Sequence, residues 1–155
     1  MNFARICIFC FVFLCLFLQS AAAKDAKAER CKTYRAQVEK ILTENGLSTA
    51  FYWLMVAESG CREKAVSKRG AVGFWQMMPA TMHHYGCRDA EDLVCQTHAA
   101  ARYLLSLQRR FPAFRETVAA WNMGGTNFKR RGRKMTVEAQ GLVSEIERLR
   151  DFAEK

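Results

Sequence analysis

The stretch ESGCREKAVSKRGAVGFWQMMPAT, residues 58–81, is the most informative part of this sequence. It follows the apolar run FYWLMVA at residues 51–57, so Glu58 stands at the end of a helix that we expect to be buried. Burial and the negative end of the helix dipole both disfavour the charged form of a carboxyl group. The pattern therefore predicts a raised pKa for Glu58, which is the property that a general acid needs. The alternative is a glutamate that only ends the helix and points into solvent.

Apolar residues recur at helical spacing along most of the chain, which predicts a mainly α-helical fold. Glycines and prolines that stop helices separate the predicted segments. The predicted helices are 31–44, 48–58, a short helix that begins at Pro79, 96–110, 114–121 and a final amphipathic segment that carries Leu142, Ile146 and Leu149. Residues 62–78 have no helical stripe and predict an irregular loop or a short hairpin, and NMGGTN at 122–127 predicts a break.

The first residues have the pattern of a secretory signal peptide, which we place at 1–23. Arg5 precedes an apolar core at 6–18, and three alanines at 21–23 offer a cleavage site. The core is shorter than the roughly 20 residues of a spanning helix, although an uncleaved membrane anchor is the alternative. We therefore expect export, and one domain at residues 24–155.

The chain is basic, with a formal net charge of +9, and Arg5 is the only charged residue of the predicted signal. A basic surface suits polyanions such as nucleic acid, lipid or cell wall. Because export disfavours nucleic acid, we expect an anionic envelope as the partner and no nucleic acid.

Four cysteines follow the predicted signal, at Cys31, Cys61, Cys87 and Cys95. An even number in an exported chain predicts two disulfides, for which the sequence permits three pairings. We favour Cys31–Cys61 with Cys87–Cys95, because the second pair would close one short acidic loop, RDAEDLV. Zinc is the alternative use of four cysteines, but they form no C-x-x-C pair, and we expect no metal and no cofactor.

Residues 58–81 resemble the signature of the soluble and membrane-bound lytic transglycosylases, and the matches occur in the same order and spacing. The matching positions are Glu58-Ser59 at the catalytic glutamate, Ala65 and Ser67 of an A-x-S, Gly70-Ala71-x-Gly73 of a G-A-x-G, and Gln76-x-Met78-Pro79-Ala80-Thr81 of a Q-x-M-P-A-T. Downstream, AARYLLSLQRRF at 100–111 and AAWNMGG at 119–125 resemble the family's A-x-x-Y-L helix and A-Y-N-A-G turn. The segments GFWQ at 73–76 and HHYG at 83–86 most resemble the sequence of membrane-bound lytic transglycosylase D.

The resemblance implies a lysozyme-like fold, mainly α, with an irregular loop or short β-hairpin after the catalytic helix. It implies peptidoglycan glycan strands as substrate, cut between N-acetylmuramic acid and N-acetylglucosamine with formation of a 1,6-anhydro ring. Glu58 would be the single general acid and base. The substrate-binding residues that it implies are Ser67, Gln76, Met78, Trp121 and Asn122. The acids Glu63, Asp89, Glu91 and Asp92 are interpreted as surface charges, which leaves no convincing second carboxylate.

One departure from the family pattern concerns the proton chemistry. Trp121 stands where the family usually has tyrosine, and an indole donates a hydrogen bond but cannot accept one. Two alternatives stay open. One is a lysozyme-type hydrolase of the same bond, because lysozyme-like folds host both reactions, and the other is a non-catalytic wall-binding accessory factor, which Trp121 indicates. We expect a monomer in the periplasm or cell envelope. By analogy with other small wall-cutting domains, we also expect a secretion, conjugation or other envelope-spanning machine as a partner.

Overall fold

The computed structural model describes residues 26–153 of the chain, apart from the side chain of Phe152, and the predicted signal peptide lies outside this range. The described part is mainly α-helical, as predicted. The helices are α1 (residues 26–44), α2 (Tyr52–Ser59, entered through a 3₁₀ turn at Thr49–Phe51), α3 (Pro79–His84), α4 (Leu93–Gln108), α5 (Phe114–Met123), α6 (Gly125–Arg130) and α7 (Val137–Ala153). No helix among the described residues is long and apolar enough to cross a membrane.

Helix α2 lies at the centre of the fold and is buried almost all round, as its sequence predicts. Ser48 caps the preceding turn by accepting a hydrogen bond from the Ala50 amide, so the segment begins where expected. Gly60 ends the helix in the left-handed conformation (φ 58°) and donates its amide to the Val56 carbonyl. Because α2 packs against α7, Glu58 is held at the end of a rigid, buried element.

The segment between α2 and α3 is the predicted irregular loop, with only isolated antiparallel bridges from Val72 to Val66 and to Met77. The buried side chain of Gln96 in α4 fixes this loop. Its amide oxygen accepts from the Trp75 amide at 3.0 Å, and its nitrogen donates to the Val72 carbonyl at 3.3 Å and, outside this loop, to the Ala90 carbonyl at 3.1 Å. Trp75 is fully buried and is part of the core.

Several helix boundaries differ from the prediction: α1 begins at residue 26 rather than 31, α4 ends at Gln108 rather than at residue 110, and α5 ends at Met123 rather than at Trp121. Helix α4 begins at Leu93 rather than Gln96, because the Asp92 carboxylate accepts hydrogen bonds from two amides of the first turn. The predicted break after α5 is confined to Gly124, since Gly125 already begins the unpredicted helix α6. A short helix with one buried aromatic residue leaves too little periodicity to be recognised in the sequence.

Both favoured disulfides are present. Cys31–Cys61 ties α1 to the end of α2, and Cys87–Cys95 closes the acidic loop before α4; each pair has a Cα–Cα distance of 5.4 Å. The first bridge therefore anchors the helix that carries Glu58.

Replacing Cys31 and Cys61 together by alanine should lower the free energy of unfolding by about 3–4 kcal/mol, because a long loop of the unfolded chain is released. The matched Cys87→Ala/Cys95→Ala variant releases a much shorter loop and should lose about 2–3 kcal/mol. Urea unfolding of the oxidised proteins measures both values. A larger loss for the short loop than for the long one would contradict this account.

Candidate active site

A cleft of about 550 Å³ opens beside the end of α2. Its walls come from the loop that follows α2, from the end of α5 and from the first turn of α7, with Tyr103 of α4 also in the lining. The structure brings all six residues singled out in the sequence into this lining: Glu58, Ser67, Gln76, Met78, Trp121 and Asn122. Residues more than sixty positions apart in the chain therefore line the same cleft.

Glu58 is the partly buried carboxyl group of the cleft. Burial raises its pKa from 4.5 to about 7, since a charged carboxylate is poorly solvated there. The hydrogen bond from Trp121 opposes this rise, the negative charges of Glu138 and Glu145 add to it, and the positive charge of Lys27 reduces it. Near neutral pH a large share of Glu58 is thus an uncharged acid.

Trp121 donates its indole N–H to Oε1 of Glu58 at 3.1 Å. The indole is itself held in place, because its ring lies 5.1 Å from the ring of Tyr103 and 6.1 Å from that of Trp75. Since an indole can only donate, Oε1 has to be the accepting oxygen. Since the carbonyl oxygen of a neutral carboxyl group is the better acceptor, this hydrogen bond favours Oε2 as the oxygen that carries the acid proton.

Two of the predicted sugar-binding groups already take part in hydrogen bonds of the loop. Gln76 donates its amide nitrogen to the carbonyls of Ala65 (3.1 Å) and Gly73 (2.9 Å). The Ser67 hydroxyl accepts from the Ala71 amide at 3.0 Å. The amide oxygen of Gln76, and the hydroxyl hydrogen and second lone pair of Ser67, are consequently available to a ligand.

Two functional candidates in the lining were missed by the sequence analysis. Glu138, in the first turn of α7, lies within 3.4 Å of the Arg69 guanidinium, so an ion pair joins the loop to α7 at the cleft. No motif marks Glu138, because it lies beyond the region of resemblance. Tyr103 is the tyrosine of the A-x-x-Y-L helix, and burial raises the pKa of its hydroxyl.

The acids that the sequence analysis interpreted as surface charges are exposed and lie outside the cleft lining: Glu63, Asp89, Glu91 and Asp92. Among residues 26–153, no group of three or more His, Cys, Asp or Glu side chains is arranged to hold a metal ion. The site therefore offers a neutral carboxylic acid that can donate a proton and, once ionised, can take one back.

Comparison with known families adds one finding. The sequence model of the family described as "Transglycosylase SLT domain" matches residues 37–141, which is more than half of the 155-residue chain. The matched range includes every residue of the cleft lining, from Glu58 to Glu138. A search of curated proteins finds no match.

Proposed function

The chain belongs to the transglycosylase SLT domain family, and we propose that it cleaves the β-1,4 bond between N-acetylmuramic acid and N-acetylglucosamine with formation of a 1,6-anhydro ring. Family membership supports peptidoglycan as the substrate and lytic transglycosylation as the general activity. The observation that carries the finer proposal is Glu58 in an open cleft, where burial raises its pKa to about 7 and where, among residues 26–153, its side-chain hydrogen bond involves Oε1 alone.

In the first step, Oε2 of Glu58 gives its proton to the glycosidic oxygen as the bond from that oxygen to the muramic acid C1 breaks. The N-acetylglucosamine side then leaves as an alcohol, and Glu58 becomes a carboxylate. Positive charge that develops at C1 is stabilised by the new negative charge. The Trp121 N–H supports this carboxylate, because its hydrogen bond to Oε1 is strongest when the oxygen is charged.

In the second step, the Glu58 carboxylate takes the proton of the muramic acid 6-hydroxyl, whose oxygen forms a bond to C1. The anhydro ring closes, the proton returns to Glu58, and no water is consumed. One group can serve as acid and then as base because its pKa of about 7 lies near neutral pH.

The rate should fall as pH rises through about 7, because the reaction begins with the protonated form of Glu58. Clearing of sacculus suspensions by the wild type, measured as initial rates from about pH 5 to about pH 9, gives the profile. A rate that stays constant up to about pH 9 would show that Glu58 is not the acid.

Trp121→Phe should move the alkaline limb of this profile to higher pH and lower the rate roughly tenfold, because the donor that stabilises the charged form of Glu58 is lost. Trp121→Tyr restores a donor and should move the limb back. If the Phe variant kept the wild-type pH profile, the indole would have only a packing role.

A lysozyme-type hydrolase is the second candidate, and one observation favours it. Two-carboxylate glycosidases need a second acid in the cleft, and Glu138 lines the same cleft as Glu58. Arg69 already pairs with Glu138, which favours a structural role for that carboxylate.

Product analysis of purified sacculi separates these functions, since hydrolysis adds water and transglycosylation does not. We expect 1,6-anhydromuramyl products from the wild type and from Glu138→Gln. Products with free reducing ends that disappear in Glu138→Gln would establish the hydrolase. Binding to sacculi without release of soluble products would indicate the wall-binding accessory factor.

We also propose that the protein works as an exported component of the periplasm or cell envelope. Both disulfides support this proposal, because such bonds persist in oxidising compartments. We propose in addition that its partner is an envelope-spanning machine. Co-purification of crosslinked complexes from cell envelopes tests for that partner.

A further inference from the structure

A second pocket, of about 430 Å³, is lined by Arg110, Phe111, Lys129, Gly132 and Arg133, and we refer to it as the cationic pocket. The guanidinium carbons of Arg110 and Arg133 lie 5.2 and 5.5 Å from the centre of the Phe111 ring. Both guanidiniums thus lie against one buried aromatic ring, and both residues line the same pocket.

Positive charge in the cationic pocket is only partly compensated. Glu116 contacts Arg133 at 3.5 Å, which is a long ion pair. Arg110 donates to the Gly125 carbonyl at 3.4 Å, and among the described residues no carboxylate pairs with Arg110 or Lys129. Guanidiniums that already lie in fixed orientations bind carboxylates through two parallel hydrogen bonds.

The turn at Gly124 and Gly125 contacts both the cleft and the residues of the cationic pocket. Gly124 lines the cleft, whereas Gly125 packs against the pocket residues. A side-chain carbon at Gly125 would come within 3.0 Å of the Arg110 guanidinium and 2.8 Å of Leu107. Two consecutive residues therefore connect the two sites, since Gly124 lines the cleft and Gly125 contacts Arg110 and Phe111 of the cationic pocket.

We propose that the cationic pocket binds a free carboxylate of a peptide stem on the glycan strand that occupies the cleft. This inference rests on the proposed function, since it needs peptidoglycan as the substrate. A stem of four or five residues spans at most about 13–18 Å, which is long enough to pass a single turn of backbone. The glycan then binds through the sugars in the cleft and through one peptide carboxylate beside it.

An anionic lipid surface is the competing ligand, but the geometry favours the carboxylate. Peripheral membrane proteins bind with an exposed apolar face beside their cations. Phe111 is 1 % exposed, so the aromatic ring orients the guanidiniums and offers no apolar surface to a bilayer. A concave pocket with two guanidiniums suits one small planar anion.

Binding of glycan strands tests the proposal directly. The background is Glu58→Gln, which prevents cleavage during the measurement, and the probes are soluble strands that keep their peptides and strands freed of peptides by an amidase. Arg110→Gln/Arg133→Gln should weaken binding of the peptide-bearing strands at least about tenfold more than that of the bare strands. Glu116→Gln should tighten binding of the peptide-bearing strands, because it removes the anion that competes for Arg133.

The matched control is Lys40→Gln/Arg88→Gln, which also removes two exposed positive charges and lies outside both sites. Equal losses in the control and the pocket variant would overturn the proposal in favour of general charge attraction. Arg110→Lys/Arg133→Lys keeps both positive charges. Its folding and its strand binding show whether the Gln variant has lost the anion site or its fold. Loss of binding to vesicles of anionic phospholipid, with strand binding unchanged, would assign the pocket to lipid.

Failure of the proposed function gives a different result. Sacculi left uncleaved by the wild type would contradict the function alone, because strand binding is measured without turnover. Normal cleavage by the wild type, together with equal binding of peptide-bearing and bare strands, would contradict the carboxylate site alone.

Discussion

Glu58→Gln is expected to lower the turnover of peptidoglycan at least about a hundredfold and to leave the fold intact. Glutamine keeps the shape of the side chain, and its amide oxygen can still accept the hydrogen bond from Trp121. The titrating proton is lost, and with it both the acid of the first step and the base of the second. Release of anhydro products from sacculi measures the effect.

Stability gives an independent check on the burial of Glu58. Its pKa is higher in the folded chain, about 7, than its ordinary value of 4.5, so the folded state binds more protons between these values. The wild type should therefore lose free energy of unfolding as pH rises from about 4.5 to about 7, and Glu58→Gln should lack this contribution. Urea unfolding at several pH values shows whether the two proteins differ in this way.

Glu63→Gln is the matched activity control, because Glu63 is exposed and outside the cleft. It should leave turnover close to that of the wild type. A folded Glu58→Gln variant that still released anhydro products at a near-normal rate would refute the assignment. The search would then turn to Glu138, the other glutamate in the lining.

Gly73→Ala is expected to lower the free energy of unfolding by at least about 3 kcal/mol. Gly73 has a φ of 73°, a conformation that costs an alanine about 1–2 kcal/mol. In addition, a Cβ at this position would overlap the Ala90 carbonyl and the side-chain amide of Gln96. Gln96 would have to move, and its hydrogen bonds with the Trp75 amide and the Ala90 carbonyl would be lost.

Gly70→Ala separates the two causes. Gly70 also has a positive φ, 82°, but a Cβ there would meet no atom within 4 Å. This variant should lose only about 1–2 kcal/mol. Equal losses in the two variants, measured by urea unfolding, would show that the contact with Gln96 and Ala90 contributes nothing.

Local signals in the sequence predicted a large part of this molecule. The apolar run before Glu58, the stop at Gly60 and the proline that opens α3 each act over one or two helical turns, and the helices follow them. The irregular loop was recognisable because glycines interrupt any helical spacing. The motif order also indicated the six predicted site residues that share the cleft.

Contacts between distant segments were decided by tertiary structure alone. The hydrogen bond from Trp121 to Glu58 joins residues 63 positions apart, and Gln96 reaches the loop from another helix. Glu138 enters the cleft only because α7 packs against α2 and α5. Periodicity shows which face of a helix is buried, but the angle and register at which two faces pack depend on side-chain shapes from both helices. The sequence by itself therefore determined the fold class and the candidate acid, whereas packing determined which groups surround that acid and set its pKa.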